Sequence, residues 1–183
     1  MTSPATQSAK FHPAIIAIHW LTFLLIIAAY ALMEFKGVFP KDSPERAIMK
    51  SLHFSIGISV LLLSFIRIVI RFMTKVPPIV PEPPAKQQLL AKLVHVALYG
   101  FMIGLPLIGI LLVNSHGHGA VFWGVELPAL IGEDKSLGHL FHEMHETVAN
   151  LGYLLIGAHA AAGIYHHHKM KDNTLLRMSF LKK

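Results

Sequence analysis

The chain contains no cysteine among its 183 residues. Disulfides, iron–sulfur clusters, thiolate ligation of a haem iron and covalent attachment of a c-type haem are therefore all excluded, since each needs a thiol. Charge is scarce as well: Asp, Glu, Lys and Arg together make up 14% of the residues, against about 25% in soluble domains. With 54% hydrophobic residues and a mean hydropathy of +0.55, the composition excludes a disordered chain and argues against a globule in water. The length fits one domain. What the chain does hold in quantity is histidine, 13 residues of it, and any metal chemistry falls to them.

Four apolar stretches, about residues 11–33, 51–72, 89–113 and 145–166, are long enough to cross a bilayer, which takes about 20 helical residues for about 30 Å of hydrocarbon. Lipid admits only helices or closed barrels, and these runs are far longer than barrel strands. The expectation is an all-α chain whose residues 1–183 form one integral membrane four-helix bundle. The 11–33 stretch is longer than the apolar core of a secretory signal, so it reads as a retained first helix. Pro106 is expected to kink the third helix. The connection at 34–50 mixes charges, the one from Val76 to Pro84 is proline-rich and extended, and the last opens with the turn-forming run Asn114-Ser115-His116-Gly117-His118-Gly119.

An even number of helices puts both termini and the second connection on one side. That side collects 11 of the 16 Lys and Arg but only 2 of the 10 Asp and Glu. By the positive-inside rule the termini are cytoplasmic. Topology thus accounts for the basic pI of 9.7, and no nucleic acid is called for.

Ionisable residues inside a membrane helix are costly and mark function. Five histidines qualify: His19, His53, His95, His145 and His159. Fourteen residues separate His145 from His159, an advance of about 21 Å and about 1400°, within about 40° of whole turns. Both side chains leave the fourth helix on one face near opposite membrane surfaces, as two stacked haems would require. Depth supplies the partners: His53 is level with His145, while His19 and His95 are both level with His159, so depth leaves that choice open. Gly57 and Gly152, with the small residues Ala158, Ala160, Ala161 and Ala162, are places where a flat macrocycle could approach a helix.

Several segments together carry a resemblance. They are Ile18-His19-Trp20-Leu21, Ala28-Ala29-Tyr30 with Met33-Glu34-Phe35, Pro77-Pro78-Ile79, His145 to Tyr153, Gly157 to Ala162 and Lys171 to Met178. Across almost its whole length the sequence resembles the bacterial di-haem cytochrome b561 family, and within it the superoxide oxidases (superoxide:ubiquinone oxidoreductases). The resemblance implies an oxidoreductase of the bacterial inner membrane with two b haems, one on His19 and His159, the other on His53 and His145. It leaves His95 unligated and implies a ubiquinone pocket at the cytoplasmic side, for which Arg71 and His166 are the candidates for propionate or quinone contacts. Superoxide would give up its electron at the periplasmic side, where Lys36 is the candidate catalytic residue and Trp123 a further outer-face residue.

The four cations Lys36, Lys41, Arg46 and Lys50 form the basic group that could attract superoxide, but the last connection opens without an arginine, a departure from the superoxide-oxidising pattern. Two rival functions remain at this point. One is a cytochrome b subunit passing electrons between quinol and a separate periplasmic redox protein; the other is a histidine-lined metal or proton transporter. His142 and His145 are spaced i, i+3, which fails the zinc-protease spacing of i, i+4. The histidines His116, His118, His139 and His142 read as solvated, and His166, His167 and His168 as an interfacial cluster.

Overall fold

The computed structural model describes residues 10–180; Lys182 and Lys183, counted above with the inner-side charges, lie outside them. Four helices dominate: α1 (Pro13–Phe35), α2 (Pro44–Met73), α3 (Ala85–Asn114) and α4 (Lys135–Tyr165). All four are long and apolar enough to cross a membrane. α2 begins at Pro44 rather than 51, α3 at Ala85 rather than 89, and α4 at Lys135 rather than 145. Hydropathy marks only the stretch that meets lipid, whereas a helix starts where its first amides are capped. Ser43 Oγ accepts from the Arg46 amide at 3.2 Å, and the Asp134 carboxylate accepts from the Ser136 and Leu137 amides at 2.8 and 3.0 Å. α3 runs on through Pro106.

The helices pack in chain order, α1 on α2, α2 on α3 and α3 on α4. Close packing of α4 against another helix is confined to α3, which leaves a slot between α4 and the α1–α2 pair. Halfway along, two tyrosines reach across. The Tyr30 hydroxyl donates to the Ala149 carbonyl at 2.6 Å, the Tyr153 hydroxyl donates to Glu34 at 2.7 Å, and the two rings lie 4.3 Å apart.

At the end where the described termini meet, called here the termini side, residues 171–178 form a strap. α4 ends in a π-helical turn (His166–Met170), followed by Lys171 in the left-handed region at φ 52°. Asn173 pairs with Val80 through Asn173 N–H to Val80 O at 3.2 Å and Val80 N–H to Asn173 Oδ1 at 2.9 Å. The buried Arg177 donates to the Pro77 carbonyl, its own carbonyl accepts from Phe11 N at 3.1 Å, and Trp20 Nε1 donates to Met178 O at 2.9 Å. His166 Nδ1 lies 2.5 Å from Asp172 Oδ2. Burial pushes the Asp172 carboxyl up, but hydrogen bonds from His166 and Thr174 outweigh it and hold the group below the ordinary carboxylate range. The proline-rich connection and the Lys171–Met178 segment, which stood apart in the sequence, are thus partners in one interlock.

At the opposite end, the hairpin side, Asn114 is fully buried and pins the last connection through Leu130 N at 2.9 Å and His118 O at 3.0 Å. Two short antiparallel strands, β1 (Val121–Phe122) and β2 (Val125–Glu126), turn at Trp123 and Gly124, both at positive φ. For a tryptophan this conformation is strained by about 1–3 kcal/mol. It is held by α2: Ser55 Oγ accepts from the Trp123 amide at 3.0 Å and Ser59 Oγ from its indole Nε1 at 3.2 Å.

Candidate functional site

Histidines face one another across the slot in two layers. On the hairpin side His53 of α2 and His145 of α4 have ring centroids 6.1 Å apart. On the termini side His19 of α1 and His159 of α4 are 6.2 Å apart, and both pairs cross at 76°. A metal held between two imidazoles, with bonds of about 2 Å and about 1 Å more from each nitrogen to its ring centre, sets the centroids about 6 Å apart. His95 of α3 stands closer to His159, at 5.5 Å.

The surroundings suit such ligands. The His53 Nδ1–H donates to the Ala29 carbonyl at 3.0 Å. That fixes the tautomer and leaves Nε2 as the lone-pair nitrogen, the usual outer support of a metal-bound imidazole. His145 leans on Gly109 of α3, its Cε1 3.1 Å from where a Cβ would stand. A cavity of about 1190 Å³ opens around this pair, lined by Gly57, Lys36, Lys50 and Glu126 among others. A Cβ on Gly57 would meet nothing within 4 Å, so the macrocycle expected beside His53 has room there.

Gly57→Leu is expected to crowd that space. Overpacking costs about 1–3 kcal/mol, about 5- to 150-fold in affinity for whatever fills the cavity, and haem content per chain measures it.

Gly152 corrects an expectation. It was read as a second approach point for the macrocycle, but a Cβ there would run into the Tyr30 hydroxyl and come within 2.5 Å of the Phe101 ring. The missing side chain lets side chains from α1 and α3 meet at α4, on the stretch of that helix between His145 and His159.

The remaining sequence candidates fall in different places. Lys36 does line the hairpin-side cavity, as do His116, His118 and His142. Trp123 is not among the lining residues and instead anchors the hairpin to α2. His139 sits 3.6 Å from Glu143. Arg71 lies over the Phe11 ring at 5.2 Å, and His166 commits its Nδ1 to Asp172. Arg67, one turn deeper on α2, lies over the Tyr99 ring at 5.8 Å.

Residues 10–180 match the family described as prokaryotic cytochrome b561. The chain belongs to that family. Cytochrome b561 homolog 1 of Escherichia coli (strain K12) is 41% identical over 169 residues, covering 92% of this chain and 96% of the relative. A probable superoxide oxidase CybB of Yersinia pestis is 39% identical over 163 residues, covering 89% and 92%. Cytochrome b561 homolog 2 of Escherichia coli (strain K12) is 27% identical over 169 residues, covering 88% and 87%. As a b561 protein the chain is a four-helix, multi-pass electron-transfer protein of the inner membrane that binds b-type haem. Haem b needs no thiol, and the facing imidazoles and the space at Gly57 fit it.

Proposed function

We propose that this b561 protein is a superoxide:ubiquinone oxidoreductase carrying two haems, one between His53 and His145 and the other between His19 and His159. The observation that carries the reading is the matched spacing of the two imidazole pairs, 6.1 and 6.2 Å, in two layers along α4. The relative from Yersinia pestis named as a probable superoxide oxidase supports the choice of substrate. The charge asymmetry supports a cytoplasmic termini side.

Held by His53 with His145 and by His19 with His159, the haems would supply one-electron transfer. The chain's own groups do the rest. Lys36 and Lys50 draw an anion toward the cavity beside His53. Two of the acids lining that cavity are occupied, Glu34 accepting from the Tyr153 hydroxyl and Glu126 from the Gly119 amide at 2.9 Å, which blunts their repulsion of an anion. On the termini side Arg71 and His166, the latter through its uncommitted Nε2, are the proposed contacts for ubiquinone. Two superoxide anions lose one electron each and leave as O₂ on the periplasmic side; ubiquinone takes the two electrons with two cytoplasmic protons to become ubiquinol.

Stopped-flow mixing of the oxidised protein with superoxide tests this. Reduction of the haem bands at about 10⁸–10⁹ M⁻¹s⁻¹, close to the diffusional ceiling and slowing as salt screens the lysines, is the expected result. Reduction slower by several orders of magnitude would overturn it.

A further inference from the structure

We propose that Arg67 is the positioning residue of the termini-side haem, holding a haem propionate and setting that haem's potential. This rests on the di-haem reading above.

Arg67 lies within the membrane-spanning part of α2 and is part-buried. Its Nε is shut off from solvent and has no hydrogen-bond partner, and its guanidinium forms no ion pair among the described residues. Its one direct contact of note is the face of the Tyr99 ring, 5.8 Å from Cζ to centroid. The charged and titratable groups that feel it electrostatically are His19, His95, His159, Arg71 and Tyr99; none is a carboxylate. Arginine stays protonated in proteins, and an uncompensated cation at membrane depth is costly enough that such residues pair with something. Among the described residues, no carboxylate acts on His19, His159 or Arg67.

A haem brings its own: two propionate carboxylates, which a planar guanidinium matches with two parallel N–H···O bonds. Arg71, one turn nearer the helix end, already lies over Phe11 beside the strap, and Arg177 lies over the same ring, each at 5.2 Å. Arg67 is therefore the cation left for the haem. Its charge favours the reduced iron, which carries one positive charge fewer than the oxidised form, so the arginine raises the midpoint of the haem it holds.

The test uses Arg67→Leu, Arg67→Lys and Arg71→Leu in the purified haem-loaded protein, with optical redox titration and resonance Raman spectra of the propionate-bending band. Arg67→Leu is expected to lower the midpoint of one haem by at least 59 mV, a tenfold change in its one-electron equilibrium, and to move that haem's propionate band. Arg67→Lys should restore most of the midpoint, and Arg71→Leu should shift it less than Arg67→Leu does. Two bis-histidine haems with unmoved potentials and propionate bands in Arg67→Leu would overturn the proposal. If Arg67→Leu cannot retain the haem, Arg67→Lys decides: a retained haem with a displaced propionate band supports the assignment, and a retained haem with an unmoved band overturns it. Fewer than two bis-histidine haems in the parent protein would instead bring down the di-haem reading itself.

Discussion

Replacing His145 with alanine is expected to halve the haem content, from two per chain to one, and to abolish reduction by superoxide while the remaining haem keeps its low-spin spectrum. The expectation follows from the side chains that stand between the two histidine layers. Tyr30 and Phe101 meet at Gly152, between the two layers, so a vacancy on the hairpin side does not reach the His19–His159 pair. His53, held to the Ala29 carbonyl, cannot supply a second axial bond by itself. Haem per protein by pyridine haemochrome, with the optical spectrum of what remains, measures the outcome; loss of both haems, or of neither, would contradict independent layers. His19→Ala is the sharper companion experiment. His95 stands 5.5 Å from His159, and a haem retained in His19→Ala but lost in the His19→Ala, His95→Ala double variant would make His95 a reserve ligand.

Protein made without haem is expected to lose the docking of α4. Among the helices α4 packs closely on α3 alone, and the links from α1 are a few hydrogen bonds through tyrosines. In the haem-loaded protein the iron bonds would bridge α4 to α1 and to α2. A ligand present at about 1,000 times its dissociation constant adds about 4 kcal/mol per site, which two sites would double, a large share of the stability of an ordinary domain. Limited proteolysis at Lys135 and Lys169, at the two ends of α4, together with thermal unfolding should show the haem-depleted protein opening far earlier. Equal melting and equal cleavage with and without haem would refute a load-sharing role for the cofactor.

The apolar middles of the helices could be read directly, because burial in lipid leaves a continuous signal of about 20 residues. Their polar first turns could not be read from hydropathy. Residues 44–50 and 135–144 are helical on account of caps at Ser43 and Asp134, local signals that a hydropathy reading passes over. The fourteen-residue spacing of His145 and His159 was legible, since helical phase and rise alone bring the two to one face. Whether His19 or His95 partners His159 was not, because both sit at that depth, and both rings stand against His159, at 6.2 and 5.5 Å. Gly152 was misread for a related reason: an absent side chain looks the same in sequence whether a cofactor or a neighbouring ring occupies the space. The setting of Arg67 was not legible, because what sets it apart, that among the described residues no carboxylate acts on it, is a property of other helices. Nothing in Trp123-Gly124 announced a hairpin, since tryptophan is a poor residue for a left-handed turn position.

The strap bears on how the protein is made. Asn173 and Arg177 grip Pro78, Val80 and Pro77, residues that leave the ribosome two helices earlier, at sequence separations of 93 to 100. The connection between α2 and α3 must therefore wait, unlatched, until α4 has been inserted and the residues behind it have emerged. Closure of that end of the molecule is one of its last acts of biogenesis, and a stop codon or an internal fusion placed before Arg177 would leave four inserted helices whose second connection never finds its clasp.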